Sequence, residues 1–198
     1  MKHVNEEADG DAQTLRISMD AKATVKVGPF ARGGKSRVFT KACDHDFHPK
    51  ATVTPVGIFL PTFDEFFCYG VTSKVTSDCL VDRLIDWWET VRERFCHIKT
   101  IVINLDNGPE NQSRRTQFMQ RLLECVQQYR ITIRLAYSPP YHSKYNPVER
   151  CWGILEQHWN GALLDGVEAV IRYAASMTWR GKHPTVALVT TPYQTLTS

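Results

Sequence analysis

Residues 98–105, Ile-Lys-Thr-Ile-Val-Ile-Asn-Leu, are apolar almost throughout, and Asp106 follows at once. A strand with one wet face alternates polar and apolar residues. A near-continuous apolar run is what a strand covered on both faces requires. The chain must therefore supply helices for both sides of a sheet, which confines it to an α/β architecture.

The flanking pattern agrees. Leu15, Ile17 and Met19 alternate with Arg16 and Ser18 in a half-buried strand that ends at Asp20. Val53–Leu60 and Glu65–Thr72 are β-rich runs joined through Pro61-Thr62, the pattern of a hairpin. A helix capped by Ser77 or Asp78 carries Leu80, Leu84, Trp87, Val91 and Phe95 at helical spacing. A second helix, 113–128, follows through Phe118, Leu122 and Val126, and Ile131–Tyr137 alternates as a strand. Asn146 caps and Pro147 opens a helix to about Trp159, because proline suits the first helical position. A last helix covers about 166–177. Residues 28–50 show little periodicity and two glycine-rich turns, so a long excursion with at most short strands is expected there. Residues 1–13 are polar and are expected to be a disordered or linker segment before a single domain, 14–198. The order of elements predicts a mixed sheet, antiparallel at first and then parallel through helical crossovers.

At 198 residues the chain is long enough for one domain with a real core. Its net charge of +3 permits a polyanionic partner without demanding one, although seven lysines and arginines fall between Lys22 and Lys50. The six cysteines are spread singly, as in a reduced cytoplasmic protein. No apolar run approaches the roughly 20 residues of a membrane span, and the start is too polar for a signal peptide.

The chemistry lies in three acids. Asp20 and Asp106 end predicted strands, and Glu149 sits in the first turn of a helix, where the macrodipole favours an anion. Taken alone, Asp106, which precedes Asn-Gly, reads as readily as a turn former, and Glu149, in a first helical turn, as a cap. Three carboxylates converging at one end of a sheet would repel unless a cation sat among them. Hard oxygen ligands suit Mg²⁺ or Mn²⁺. Two such ions about 3.5–4 Å apart can drive an in-line phosphoryl displacement. Basic and aromatic neighbours suit the phosphate backbone of DNA: Lys22, two residues past Asp20, and His142, Lys144 and Arg150 around Glu149. Cys43–His48 lacks the spacing of a structural zinc site, and the five tryptophans read as packing residues. Asn107 reads as a turn residue and Arg114-Arg115 as a solvated face.

The strings Ile17-Ser-Met-Asp-Ala-Lys22, Asn104-Leu-Asp-Asn-Gly108 and Pro139-Pro-Tyr-His-Ser-Lys-Tyr-Asn-Pro-Val-Glu149 resemble the three motif blocks of bacterial insertion-sequence transposases. With His45-Asp46-Phe47, the resemblance is to the Rhodopirellula/Azoarcus-type group and covers about residues 14–195. It implies a ribonuclease H-like DDE catalytic domain of the retroviral integrase superfamily. Asp20, Asp106 and Glu149 would then be its catalytic, metal-holding triad, with two Mg²⁺ or Mn²⁺ as cofactors. It further implies cleavage of double-stranded DNA at transposon ends and transfer of the 3′-hydroxyl into target DNA by a homo-oligomer at the bacterial nucleoid. Members of that group carry a helical DNA-binding region ahead of the catalytic domain. This chain opens a few residues before Asp20, so that region is expected to be absent. The alternatives left open are a nuclease of the same fold without strand transfer and a non-catalytic, DNA-binding remnant.

Overall fold

The computed structural model describes residues 2–28, 51–106, 116–138 and 146–194. Among them, seven strands form one mixed sheet and five helices cover its two faces. In chain order the elements are α1 (Lys2–Gly10), β1 (Thr14–Ala21), β2 (Val25–Val27), β3 (Ala51–Leu60), β4 (Glu65–Val71) and α2 (Ser77–Val91). There follow β5 (Thr100–Leu105), α3 (Thr116–Tyr129), β6 (Thr132–Tyr137), α4 (Val148–Trp159), α5 (Val167–Ser176) and β7 (Thr185–Val189).

The sheet order is β6-β5-β1-β3-β4-β7, with β2 paired to β3. β6, β5 and β1 are parallel, while β1, β3 and β4 form an antiparallel meander. The expected hairpin is therefore present, and β5 lies between two strands with helices on both faces, as its apolar run required. β1 is buried on both faces rather than half-buried. Leu15, Ile17 and Met19 join the core under α2 and α3. Its alternate residues meet the helices of the other side: Arg16 reaches Asp9 of α1, and Ser18, wholly buried, reaches Asn146 just ahead of α4.

Three expectations need correction. Residues 2–10 form a helix instead of an unordered lead-in. Val4 and Ala8, four apart on one face, pack on Val102 and Ala136. A two-pronged Arg16–Asp9 contact (2.7 Å each) and an Asn104–Asn5 hydrogen bond (2.8 Å) fasten it. Helix α2 is capped by Thr76, whose hydroxyl accepts the Cys79 amide at 3.3 Å, while Ser77 and Asp78 already lie in the first turn. Finally, a strand not expected after the last helix, β7, adds in parallel to β4 at the sheet edge. The excursion at 29–50 lies outside the described residues; just before it, β2 pairs with the first residues of β3. No described helix is long and apolar enough to cross a membrane.

Candidate active site

Two adjacent parallel strands set the first two acids. Met19 of β1 pairs with Leu105 of β5, so the next residue on each strand is an aspartate, Asp20 and Asp106. Both lie at the carboxyl edge of the sheet, where open α/β sheets bind ligands.

The third acid is brought in by a polar clamp. The Ser18 hydroxyl donates a short hydrogen bond to Oδ1 of Asn146 and accepts the amide of Val148 at 2.8 Å. Nδ2 of Asn146 donates to the Met19 carbonyl at 3.2 Å. Ser18 and Asn146 are both fully buried. Pro147, at helical φ (−57°), stands one residue ahead of α4, at the cap position instead of the first helical position expected of it. Asn146 is not the cap expected of it: its side chain turns to the strand, and the strand's Ser18 caps the helix in its place. Glu149 is thus held in the first turn of a helix whose start is bonded to the strand bearing Asp20.

The three carboxyls feel one another. Asp20 is pushed up to about 7, by burial first and by the charge of Glu149 second, with Asp106 adding to the rise. The indole of Trp152 and the Ala21 backbone amide pull it back down. Glu149 is raised too, by burial and then by Asp106, with Lys22 opposing. Among the described residues no group of three His, Cys, Asp or Glu side chains is arranged to hold an ion as it stands. The donor chemistry nevertheless fits a divalent cation: these are hard oxygen ligands, and the charges of Glu149 and Asp106 make Asp20 harder to ionise, as that of Asp106 does Glu149.

Lys22 follows directly after β1 and faces α4. Its Nζ pairs with Glu156 of α4 at 3.2 Å, and its amide donates to the Pro55 carbonyl at 2.8 Å. Arg150 is exposed next to Glu149. His142 and Lys144 lie outside the described residues, as do Cys43–His48, Asn107 and Arg114-Arg115.

The sequence reading missed a residue at the centre of the site. Trp152, taken for packing, donates its indole N–H to Oδ2 of Asp20 at 3.0 Å. It stands three residues after Glu149, a spacing that puts two side chains on one helix face, and this is the signal that could have found it. Opposite Asp20 in the β1–β3 register is Gly57. A Cβ there would fall 2.6 Å from Cη2 and Cζ2 of the indole, so the missing side chain is what admits the ring. Phe66 braces the ring edge-on at 5.3 Å.

A mixed sheet in this order, with one acid near the end of its first strand, a second just after the strand parallel to it and a third on a covering helix, defines the ribonuclease H-like fold of transposases and integrases. Residues 1–197 match the family model of the Rhodopirellula transposase DDE domain, and the chain belongs to that family. Among solved structures it is similar to Mos1 transposase in its paired-end complex with the left transposon end. The TM-score is 0.62 at 11% identity, over 91% of this chain and 55% of that one. The Mos1 mariner paired-end complex with Mn gives 0.58 at 10% identity, over 91% and 55%. The Mos1 strand transfer complex gives 0.53 at 10% identity, over 90% and 53%. At these identities the likeness is one of fold, and the chain spans about half the length of the solved chains it matches. No protein with a curated description matches the sequence.

Proposed function

We propose that this chain is a transposase catalytic domain that cleaves DNA strands at transposon ends and joins the freed 3′-hydroxyl to target DNA. Asp20, Asp106 and Glu149 are its catalytic carboxylates. The observation that carries the reading is their electrostatic coupling: acids from two strands and a helix meet where burial and mutual charge raise Asp20 to about 7. Such a cluster is unfavourable in an empty site and favourable around cations.

The three carboxylates would hold two Mg²⁺ or Mn²⁺. When bound, these ions supply a polarised water or 3′-hydroxyl and stabilise the departing oxygen. The protein's own part is placement. Strand register fixes Asp20 beside Asp106, and the Ser18–Asn146 clamp fixes where Glu149 enters. Lys22, two residues past Asp20, and the exposed Arg150, next to Glu149, are assigned to neutralising backbone phosphates. His142 and Lys144, which precede Glu149 in the sequence, are assigned the same role. Double-stranded DNA as partner and assembly as a homo-oligomer on it are supported by the paired-end and strand transfer complexes in which Mos1 transposase was solved.

The test is Asp106→Asn. It is expected to abolish Mg²⁺-dependent nicking of DNA while leaving the circular dichroism spectrum and thermal midpoint close to those of the parent. Unchanged nicking would remove Asp106 from the site. Recovery of products joined to a target plasmid, against release of nicked strands alone, separates a transposase from a nuclease of the same fold.

A further inference from the structure

Asp20 has one side-chain donor among the described residues, and it comes from the helix that carries Glu149. Trp152 is buried to 3% exposure, braced by Phe66, and seated over Gly57, the strand partner of Asp20. An indole N–H can donate but never accept, so this contact recognises an oxygen acceptor and nothing else. We propose that Trp152 is a positioning residue: its indole N–H commits Oδ2 of Asp20 to the protein, fixes the plane of that carboxyl, and leaves its remaining lone pairs for a divalent cation. The inference rests on the reading of Asp20 as a metal ligand. It assigns Gly57 the complementary task of making room for the ring.

The physical case is that of an outer-shell partner. A carboxylate on a strand end can turn about its terminal torsion, which is broad and only weakly held. A fixed donor removes that freedom before a metal arrives and keeps one oxygen in the acceptor role. Losing such a partner characteristically costs 10–100-fold in metal affinity. The same fold offers an internal control. Trp159, seven residues further along α4, is equally buried at 3%, and its indole N–H finds no partner among the described residues. Replacing either ring by phenylalanine removes a similar volume from the same helix. Only one of the two replacements removes a bond to a carboxylate.

The experiment is an Mg²⁺ titration of the whole chain with ¹⁵N-labelled tryptophan, following the five indole signals. The assigned Trp152 signal is expected to move on addition of Mg²⁺ in the parent and to stay put in Asp20→Asn. Trp152→Phe is expected to weaken Mg²⁺ binding about tenfold or more. Gly57→Ala, which pushes the ring off its seat, should weaken it in the same direction, and Trp159→Phe should leave it within about twofold. If Asp20→Asn abolishes binding but the Trp152 signal never moves, or Trp152→Phe binds as the parent does, the positioning role is overturned and the metal site stands. If Asp20→Asn binds Mg²⁺ like the parent, the metal reading itself falls and takes this inference with it. The parent titration needs no variant at Trp152, so failure of Trp152→Phe to fold leaves the question decidable.

Discussion

Ser18 accepts the Val148 amide at 2.8 Å, so the strand that bears Asp20 caps the helix whose first turn bears Glu149. The two residues are 130 positions apart, and the bond between them sets the distance between the first and third acids more directly than any local turn. Ser18→Ala is expected to destabilise the chain by about 2–3 kcal/mol, because it removes a helix cap and strands the buried amide of Asn146. Asn146→Ala should cost a similar amount. The double variant should cost less than the sum by about 1 kcal/mol, since both changes break one network. Urea midpoints of the four proteins measure this, and strict additivity would mean the clamp does not act as a unit.

Asp20 gives the metal-free protein a pH dependence of definite sign. It binds its proton up to about pH 7 in the fold, against 3.8 for an ordinary aspartate. Between those values the unfolded chain has lost the proton and the folded chain keeps it. The native state then binds more protons, and stability falls as pH rises from about 4 to about 7. Below that window the contribution is complete, and above it the contribution is gone, an effect of at most about 4 kcal/mol. In EDTA the urea midpoint of the parent, measured relative to Asp20→Asn, should decline across this window. Saturating Mg²⁺ should flatten the decline by favouring the ionised form. At pH 8 without metal, Asp20→Asn is expected to be the more stable protein, although the proposed role of Asp20 predicts that it loses DNA cleavage. A parent-minus-variant difference that stays level from pH 4 to 7 would contradict the burial and charge coupling of Asp20.

Two strand glycines separate rigid from yielding neighbours. A Cβ at Gly57 meets ring carbons of Trp152 at 2.6 Å, and the indole cannot bend away without leaving Asp20. A Cβ at Gly70 would come within 2.4 Å of Cδ1 of Ile171, nominally the worse clash. That atom is the free end of a side chain with other rotamers, so the contact relaxes cheaply. Gly57→Ala is therefore expected to cost about 2–3 kcal/mol and Gly70→Ala about 1 kcal/mol or less, despite the order of the distances. Chemical denaturation of the two variants would show the reverse order if the ring were the softer neighbour.

What could be read from the sequence followed from local physics. β5 announced itself because covering both faces of a strand leaves no room for polar alternation. The β3–β4 hairpin and the helices showed their own periodicities. The three acids stood out because two end strands and one opens a helix. The features that escaped are set by distant partners. Ser18 looked like an outward polar residue, yet its hydroxyl is buried against Asn146, 128 positions away. Helix α1 holds on through Val4 and Ala8, the Asn5–Asn104 hydrogen bond and ion pairs from Asp9 and Glu7, contacts with distant residues that its polar sequence does not announce. β7, Thr185–Val189, is an apolar run of only five residues at a sheet edge with mostly exposed side chains; a run that short does not by itself declare a strand, and its pairing with β4 is left to the backbone. Trp152 was visible as a large apolar residue on the helix face of Glu149, but that its N–H meets Asp20, 132 positions away, is set by tertiary contact.

Lys22 is held by a carboxylate that DNA would have to replace. Its Nζ lies 3.2 Å from Glu156, with the lysine 15% exposed and the glutamate 68% exposed. An ion pair with one partner in water contributes about 0–1 kcal/mol, so neither Lys22→Met nor Glu156→Gln should shift the thermal midpoint by much. Their effects on DNA binding should have opposite signs. Lys22→Met removes one cation available to a phosphate; it should weaken binding and lower the slope of log affinity against log salt by about one. Glu156→Gln removes the competing carboxylate, freeing Lys22 for the backbone, and should tighten binding severalfold at low salt with the advantage fading as salt screens the phosphates. Fluorescence anisotropy of a labelled duplex across a KCl series reads both. If Lys22→Met left affinity and slope unchanged while Asp106→Asn still abolished nicking, Lys22 would be a strut between β1 and α4, and the phosphate contacts would lie elsewhere around Glu149.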